Sequence, residues 1–170
     1  NRMRFVLRVY AAIREAVGAD FPIGIKLNSA DFMKGGFTEE DSMEVVQTLS
    51  KAGIDLIEVS GGTYESPSMV GHKVKASTLK REAYFLDYAE KVRKLIDTPL
   101  VVTGGFRSAA VMNDALARNV MDMVGIARPL AVDPNLPNQL MADKSAKIEL
   151  RTLSTGVRAV DKMAMLDITW

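Results

Sequence analysis

Two hydrophobic rhythms alternate along the chain. Met3, Phe5, Val6, Val9, Ala12, Ile13 and Val17 recur at helical spacing, and Gly18 closes the run. Pro22 to Asn28 then reads as a strand, followed by a loop from Ser29 to Phe37 that holds Gly35-Gly36. Thr38 with Asp41 three residues on predicts a capping box, and Glu39 and Glu40 suit the positive end of a helix. That helix carries Met43, Val46 and Leu49 and stops at Gly53. The same unit recurs. Ile54–Ser60 is a strand ending in Gly61-Gly62, and a polar stretch from Thr63 to Lys80 leads to a helix over about 81–96. Pro99–Thr103 is a strand ending in Gly104-Gly105, Ser108 caps a helix reaching about Arg118, and Met121–Ile126 is a strand ending in Ala127-Arg128-Pro129. Asp133-Pro134 opens an irregular, mostly helical tail. There Ile148, Leu150, Leu153, Val157, Val160, Met163 and Met165 predict a packing helix within Lys144–Trp170.

Strands alternating with amphipathic helices imply βαβ units, a parallel sheet and right-handed crossovers. No Gly-x-Gly-x-x-Gly follows the first strand, which disfavours a dinucleotide-binding unit. The 170 residues fall short of the roughly 250 of a complete (β/α)₈ barrel. The expected fold is therefore α/β, of the (β/α)₈ TIM-barrel type. Residues 1–140 form a half-barrel of four βα units, and residues 141–170 form a helical tail packed on it. The chain opens on Asn1 with no initiator Met or signal-peptide pattern and ends on Trp170 with no turn signal, so part of a longer protein is expected.

Side chains alternate between the faces of a strand. Ile23, Ile25, Leu27, Ile57, Val59, Val124 and Ile126 should face the helices. Gly24, Lys26, Asn28, Leu56, Glu58, Ser60, Met123, Gly125 and Ala127 should face the barrel axis. Lys26 and Glu58 fall on neighbouring strands at similar heights. They read as an internal ion pair, or as a pair in which Lys26 faces an anionic or electron-accepting ligand; the two readings are compatible.

Charge narrows the partners. Twenty-two basic against 21 acidic side chains leave +1, which argues against a nucleic-acid or membrane-surface protein. No apolar stretch approaches the roughly 18 residues of a membrane span. The absence of cysteine excludes disulfides, thiol nucleophiles and Cys-ligated metals, and the single histidine, His72, excludes a multi-His metal site. His72 falls in the long Thr63–Lys80 loop with Tyr64 and Glu65, a stretch read as solvated rather than catalytic. Ten methionines spread along the chain read as core filler.

One corner carries chemistry. Thr103-Gly104-Gly105-Phe106-Arg107-Ser108 links a strand to a helix N-terminus, where glycines let the backbone approach an anion and free amides with the helix dipole favour negative charge. The next strand delivers Gly125, Ala127 and Arg128 to the same end, where barrels often bind phosphate.

These stretches resemble the old yellow enzyme family, the FMN-dependent NADH:flavin oxidoreductases. The likeness is carried by Asn1–Phe5, Ile23–Asn28, Gly53–Ser60, Val102–Phe106, Met123–Leu130 and Asp133-Pro134, over residues 1 to about 140. It implies helix 4 through strand 8 of the family barrel. It further implies that Gly104 and Gly105 donate amides to the FMN phosphate and that Ala127 and Arg128 border the phosphate and flavin edge. Lys26 would stand where many relatives carry an arginine against the flavin N1–O2 edge. Ala127 stands where the family often has glycine. The resemblance implies FMN with NADH or NADPH as reductant, an electron-poor alkene or other small molecule as acceptor, a homo-oligomer and a cytoplasmic location. The family's substrate-binding His-His or His-Asn pair and its usual tyrosine proton donor lie on an earlier strand and are not in this sequence, so no catalytic residue is assigned. Two other readings stand beside it. One is a non-redox, phosphate-binding barrel enzyme with Lys26 as a Schiff-base amine. The other is an inactive fragment that self-associates through two exposed sheet edges.

Overall fold

Apolar residues gathered on one face of each strand dictate a sheet covered by helices on that face. A computed structural model describes residues 3–61 and 82–148 of the chain. Helix α1 (Arg4–Val17), strand β1 (Gly24–Asn28), helix α2 (Glu39–Lys51), strand β2 (Leu56–Ser60) and helix α3 (Leu86–Arg93) come first. Strand β3 (Leu100–Thr103), helix α4 (Ala109–Ala117), strand β4 (Met123–Gly125) and the short helices α5 (Arg128–Val132) and α6 (Leu136–Ala142) follow. The strands pair in parallel in the order β1-β2-β3-β4, as consecutive βα units of a barrel do. The core lies between sheet and helices. Ile57, Val59, Leu100 and Val102 are sealed there against Val46, Leu49, Val92 and Ala115. Lys26 and Glu58 face the other way, at matching register.

Local chemistry sets the element ends. Thr38 accepts the Asp41 amide while Asp41 accepts the Thr38 amide, so the capping box starts α2 as its spacing predicts. Ser42 then ties that helix inward: its hydroxyl donates to Asn28 O at 2.8 Å and lies 2.6 Å from the buried Tyr88 OH. Helix α3 begins later than the periodicity predicts, at Leu86 rather than near residue 81, because Ala83 takes a left-handed φ of 55°. The segment it interrupts turns back over the β3–α4 loop.

One device closes the N-terminal rim twice. In the last turn of α1, Arg14 donates to the carbonyls of Gly18, Ala19 and Phe21 and pairs with Asp55. Asp55 in turn accepts the Ile23 amide at 2.7 Å and donates its own amide to Ile23 O. At the end of α3, Arg93 reaches Thr98 O and pairs with Asp122, which accepts the Leu100 amide at 2.7 Å and donates to Leu100 O. Each clamp joins a helix, the loop after it and two adjacent strands through one Arg–Asp pair.

After α6 the described chain is not helical. Residues 143–145 turn, and Lys147 pairs antiparallel with Ser108, so the start of the expected tail helix runs instead beside the entrance to α4. The remainder of that predicted helix, residues 149–170, lies outside the described residues, as do Tyr64, Glu65 and His72.

Candidate functional site

The C-terminal ends of β3 and β4 meet at a small cavity of about 60 Å³. Gly104, Gly105, Ala127 and Arg128 all line it, with Thr103 and Tyr84. The sequence therefore grouped these residues as the structure does, although they come from two successive loops. The volume is several times the roughly 10–15 Å³ that admits one water and far below the roughly 300 Å³ at which whole-ligand pockets begin. Its size suits a single phosphate-like group.

Glycine is needed at two of its walls. Gly105 sits at φ +82°, and an added Cβ would lie 3.0 Å from three carbons of the Tyr84 ring. At Gly125 an added Cβ would fall 1.7 Å from Thr103 Oγ1, so the absence of a side chain on β4 is what makes room for the threonine. Among the described residues the amides of Gly104 and Gly105 have no hydrogen-bond partner, whereas the Gly104 carbonyl accepts from Tyr84 N at 3.1 Å. A cradle of backbone donors that a Cβ would fill fits a phosphate.

The amides further along the loop behave differently from the sequence expectation. Glu82 Oε2 accepts from Arg107 N at 3.0 Å, from Ser108 N at 2.9 Å and from the Ser108 hydroxyl at 3.0 Å. Ala109 N donates to Ala146 O. Ser108 thus occupies the N-cap position without capping its own helix. The helix entrance already holds a carboxylate, and among the described residues the loop amides left to a ligand are those of Gly104, Gly105 and Phe106.

Lys26 does not line this cavity. Its Nζ lies 2.7 Å from Glu58 Oε1, to which Thr103 also donates at 2.6 Å. Thr103 borders the cavity, so a charged chain crosses the axis face from β1 through β2 to β3. Two strand spacings, roughly 10 Å, separate the Lys26 strand from the glycine loop. Burial pushes the Glu58 carboxyl up, but the hydrogen bonds from Lys26 and Thr103 and the Lys26 charge outweigh it and hold the group below its ordinary value. The lysine side chain remains 54% exposed. Among the described residues no three acidic or His side chains cluster in a way that could hold a metal.

The sequence pattern singles out neither Glu82 nor Tyr84, and gives Thr103 only as the strand end that opens the glycine loop. Glu82 precedes its amide partners by 25 and 26 residues, and no local spacing announces such a contact. Thr103 stands two residues beyond Val101, the strand partner of Glu58, and so shares the axis face with Glu58.

Comparison with known proteins places these observations. The sequence profile of the NADH:flavin oxidoreductase / NADH oxidase family matches residues 1–146. The chain is 37% identical over 164 residues to the NADH-dependent flavin oxidoreductase iccE of Talaromyces variabilis, covering 91% of this chain and 40% of that protein. It superposes with a TM-score of 0.73 on 2-naphthoyl-CoA reductase, solved with 2-naphthoyl-CoA, at 31% identity over 83% of this chain and 21% of the other. The old yellow enzyme homologue of Zymomonas mobilis shares the fold at a TM-score of 0.61 and 15% identity, over 88% of this chain and 39% of that one. The chain spans well under half the length of each of these proteins.

Proposed function

The chain belongs to the NADH:flavin oxidoreductase / NADH oxidase family, and from that premise we propose that it supplies the phosphate clamp and the flavin-edge cation of an FMN-dependent oxidoreductase. The whole protein takes electrons from NADH or NADPH and delivers them to an electron-poor alkene, such as an enone, or to another small-molecule acceptor. FMN, when bound, supplies the two-electron redox chemistry. The chain's own part is to hold it. Gly104 and Gly105 donate backbone amides to the phosphate, Arg128 sets a guanidinium beside it, and Ala127 forms the adjoining wall. Lys26 places a cation at the pyrimidine edge, where charge grows as the flavin is reduced. Glu58 and Thr103 hold that lysine on the axis face.

The supporting observation is the meeting of Gly104, Gly105, Ala127 and Arg128 on one cavity of phosphate size. Among the described residues no helix is long and apolar enough to cross a membrane, and a cytoplasmic homo-oligomer completes the proposal. Titration of the chain with FMN tests it. The expected result is a stoichiometric yellow complex with quenched flavin fluorescence. A colourless protein after reconstitution would overturn the cofactor assignment.

A further inference from the structure

We infer that Glu82 is a positioning residue that makes this cavity a site for one phosphate and bars a diphosphate. The inference rests on the phosphate reading of the cavity and adds a specificity determinant to it. A glycine loop running into a helix ordinarily offers an anion two sets of donors, the loop amides and the first amides of the helix. In this chain the two sets are divided. Glu82 accepts both the Arg107 and Ser108 amides and the Ser108 hydroxyl, and Ala146 O accepts the Ala109 amide. Among the described residues, the loop amides that remain are those of Gly104, Gly105 and Phe106, beside Arg128, around a cavity of about 60 Å³.

The residues after Glu82 fix that division. Ala83 takes the left-handed turn, φ 55°, that sends the chain back across the loop. Tyr84 then donates its amide to Gly104 O and lays its ring against Gly105, while Phe85 is buried behind it. Glu82, Tyr84 and Phe85 thus form a strap whose carboxylate sits where a second phosphate would seek the helix amides. A second phosphate would meet like charge and find the Arg107, Ser108 and Ala109 amides taken. A single phosphate on Gly104 and Gly105 meets neither obstacle.

Backbone amide NMR of the 170-residue chain, titrated with inorganic phosphate and with pyrophosphate, tests this. In the unaltered chain, phosphate should shift the Gly104 and Gly105 signals and bind more tightly than pyrophosphate. Glu82→Ala should lower that preference by about tenfold and bring the Arg107 and Ser108 amides into the pyrophosphate response. Glu82→Gln keeps an acceptor oxygen without the charge; it should leave the Arg107 and Ser108 signals near their original positions and lower the preference by about threefold. If Glu82→Ala unfolds, Glu82→Gln decides by the same ratio. An unchanged ratio, an original preference for pyrophosphate, or no phosphate-dependent shift would each overturn the inference. Phosphate binding at the glycine amides without FMN binding would instead sink the cofactor proposal and leave this one standing.

Discussion

The two rims of the sheet treat the backbone groups at their loops in opposite ways. At the N-terminal rim, Arg14 with Asp55 and Arg93 with Asp122 bond back onto the chain, closing each helix-to-strand loop on the next strand. At the C-terminal rim, glycines replace side chains, Gly104 and Gly105 leave amides without partners among the described residues, and a cavity remains. The difference teaches where to look. Satisfied ion pairs at strand entrances hold the fold together, while unsatisfied donors at strand exits are available to a ligand.

Substitutions at each rim separate these roles. The largest expected effect is at the closed rim. Asp122→Ala leaves the Leu100 amide and the Arg93 guanidinium without their acceptor and should cost about 2–3 kcal/mol. Urea unfolding would report the loss, and phosphate or FMN affinity in the folded fraction should stay unchanged; a parallel loss of affinity would erase the contrast between rims. Gly105→Ala at the open rim should cost about 1–2 kcal/mol, from a positive φ and a ring contact, and remove phosphate binding as well. Arg128→Ala should weaken FMN about tenfold with little change in thermal midpoint, since it removes one charged contact to a ligand. A large fall in midpoint would move Arg128 to the structural class.

The smallest effect falls on the axis face. The folded Glu58 carboxyl titrates below its unfolded value, so its contribution is present above about pH 4.5 and is lost as pH falls through the lower folded value. Solvent screening keeps that contribution under about 1 kcal/mol. Glu58→Gln should therefore lower the neutral plateau of a stability-versus-pH curve by that small amount and flatten its acid limb. An unaltered acid limb would show that Lys26 and Thr103 do not favour the charged form.

Much of this architecture could be read before any coordinates. Periodicity located each strand, the Thr38–Asp41 spacing announced a cap whose two halves both form, and strand alternation put Lys26 and Glu58 on one face. Strand ends were overextended by one to three residues because the ladder stops where pairing stops, which hydrophobicity alone does not reveal. The four cavity residues were legible because each lies within three residues of the end of its strand. Glu82, Tyr84 and the two Arg–Asp clamps were not. Arg14 and Asp55 stand 41 positions apart, and only the packed sheet brings them together. Ser108 looked like a cap from its type and position, but a distant carboxylate recruited its hydroxyl instead.

The openness of the axis face has an electrostatic consequence. With Lys26 about half exposed, bulk water and dissolved ions bathe its link to Glu58, and the field it projects fades within the Debye length, about 8 Å at physiological ionic strength. Any surface laid over that face replaces water with a medium of lower permittivity, in which the same charge acts several times more strongly. The reach of Lys26 is thus governed by its cover, and shielding from solvent turns a weak surface cation into a directed potential without moving an atom of the sheet.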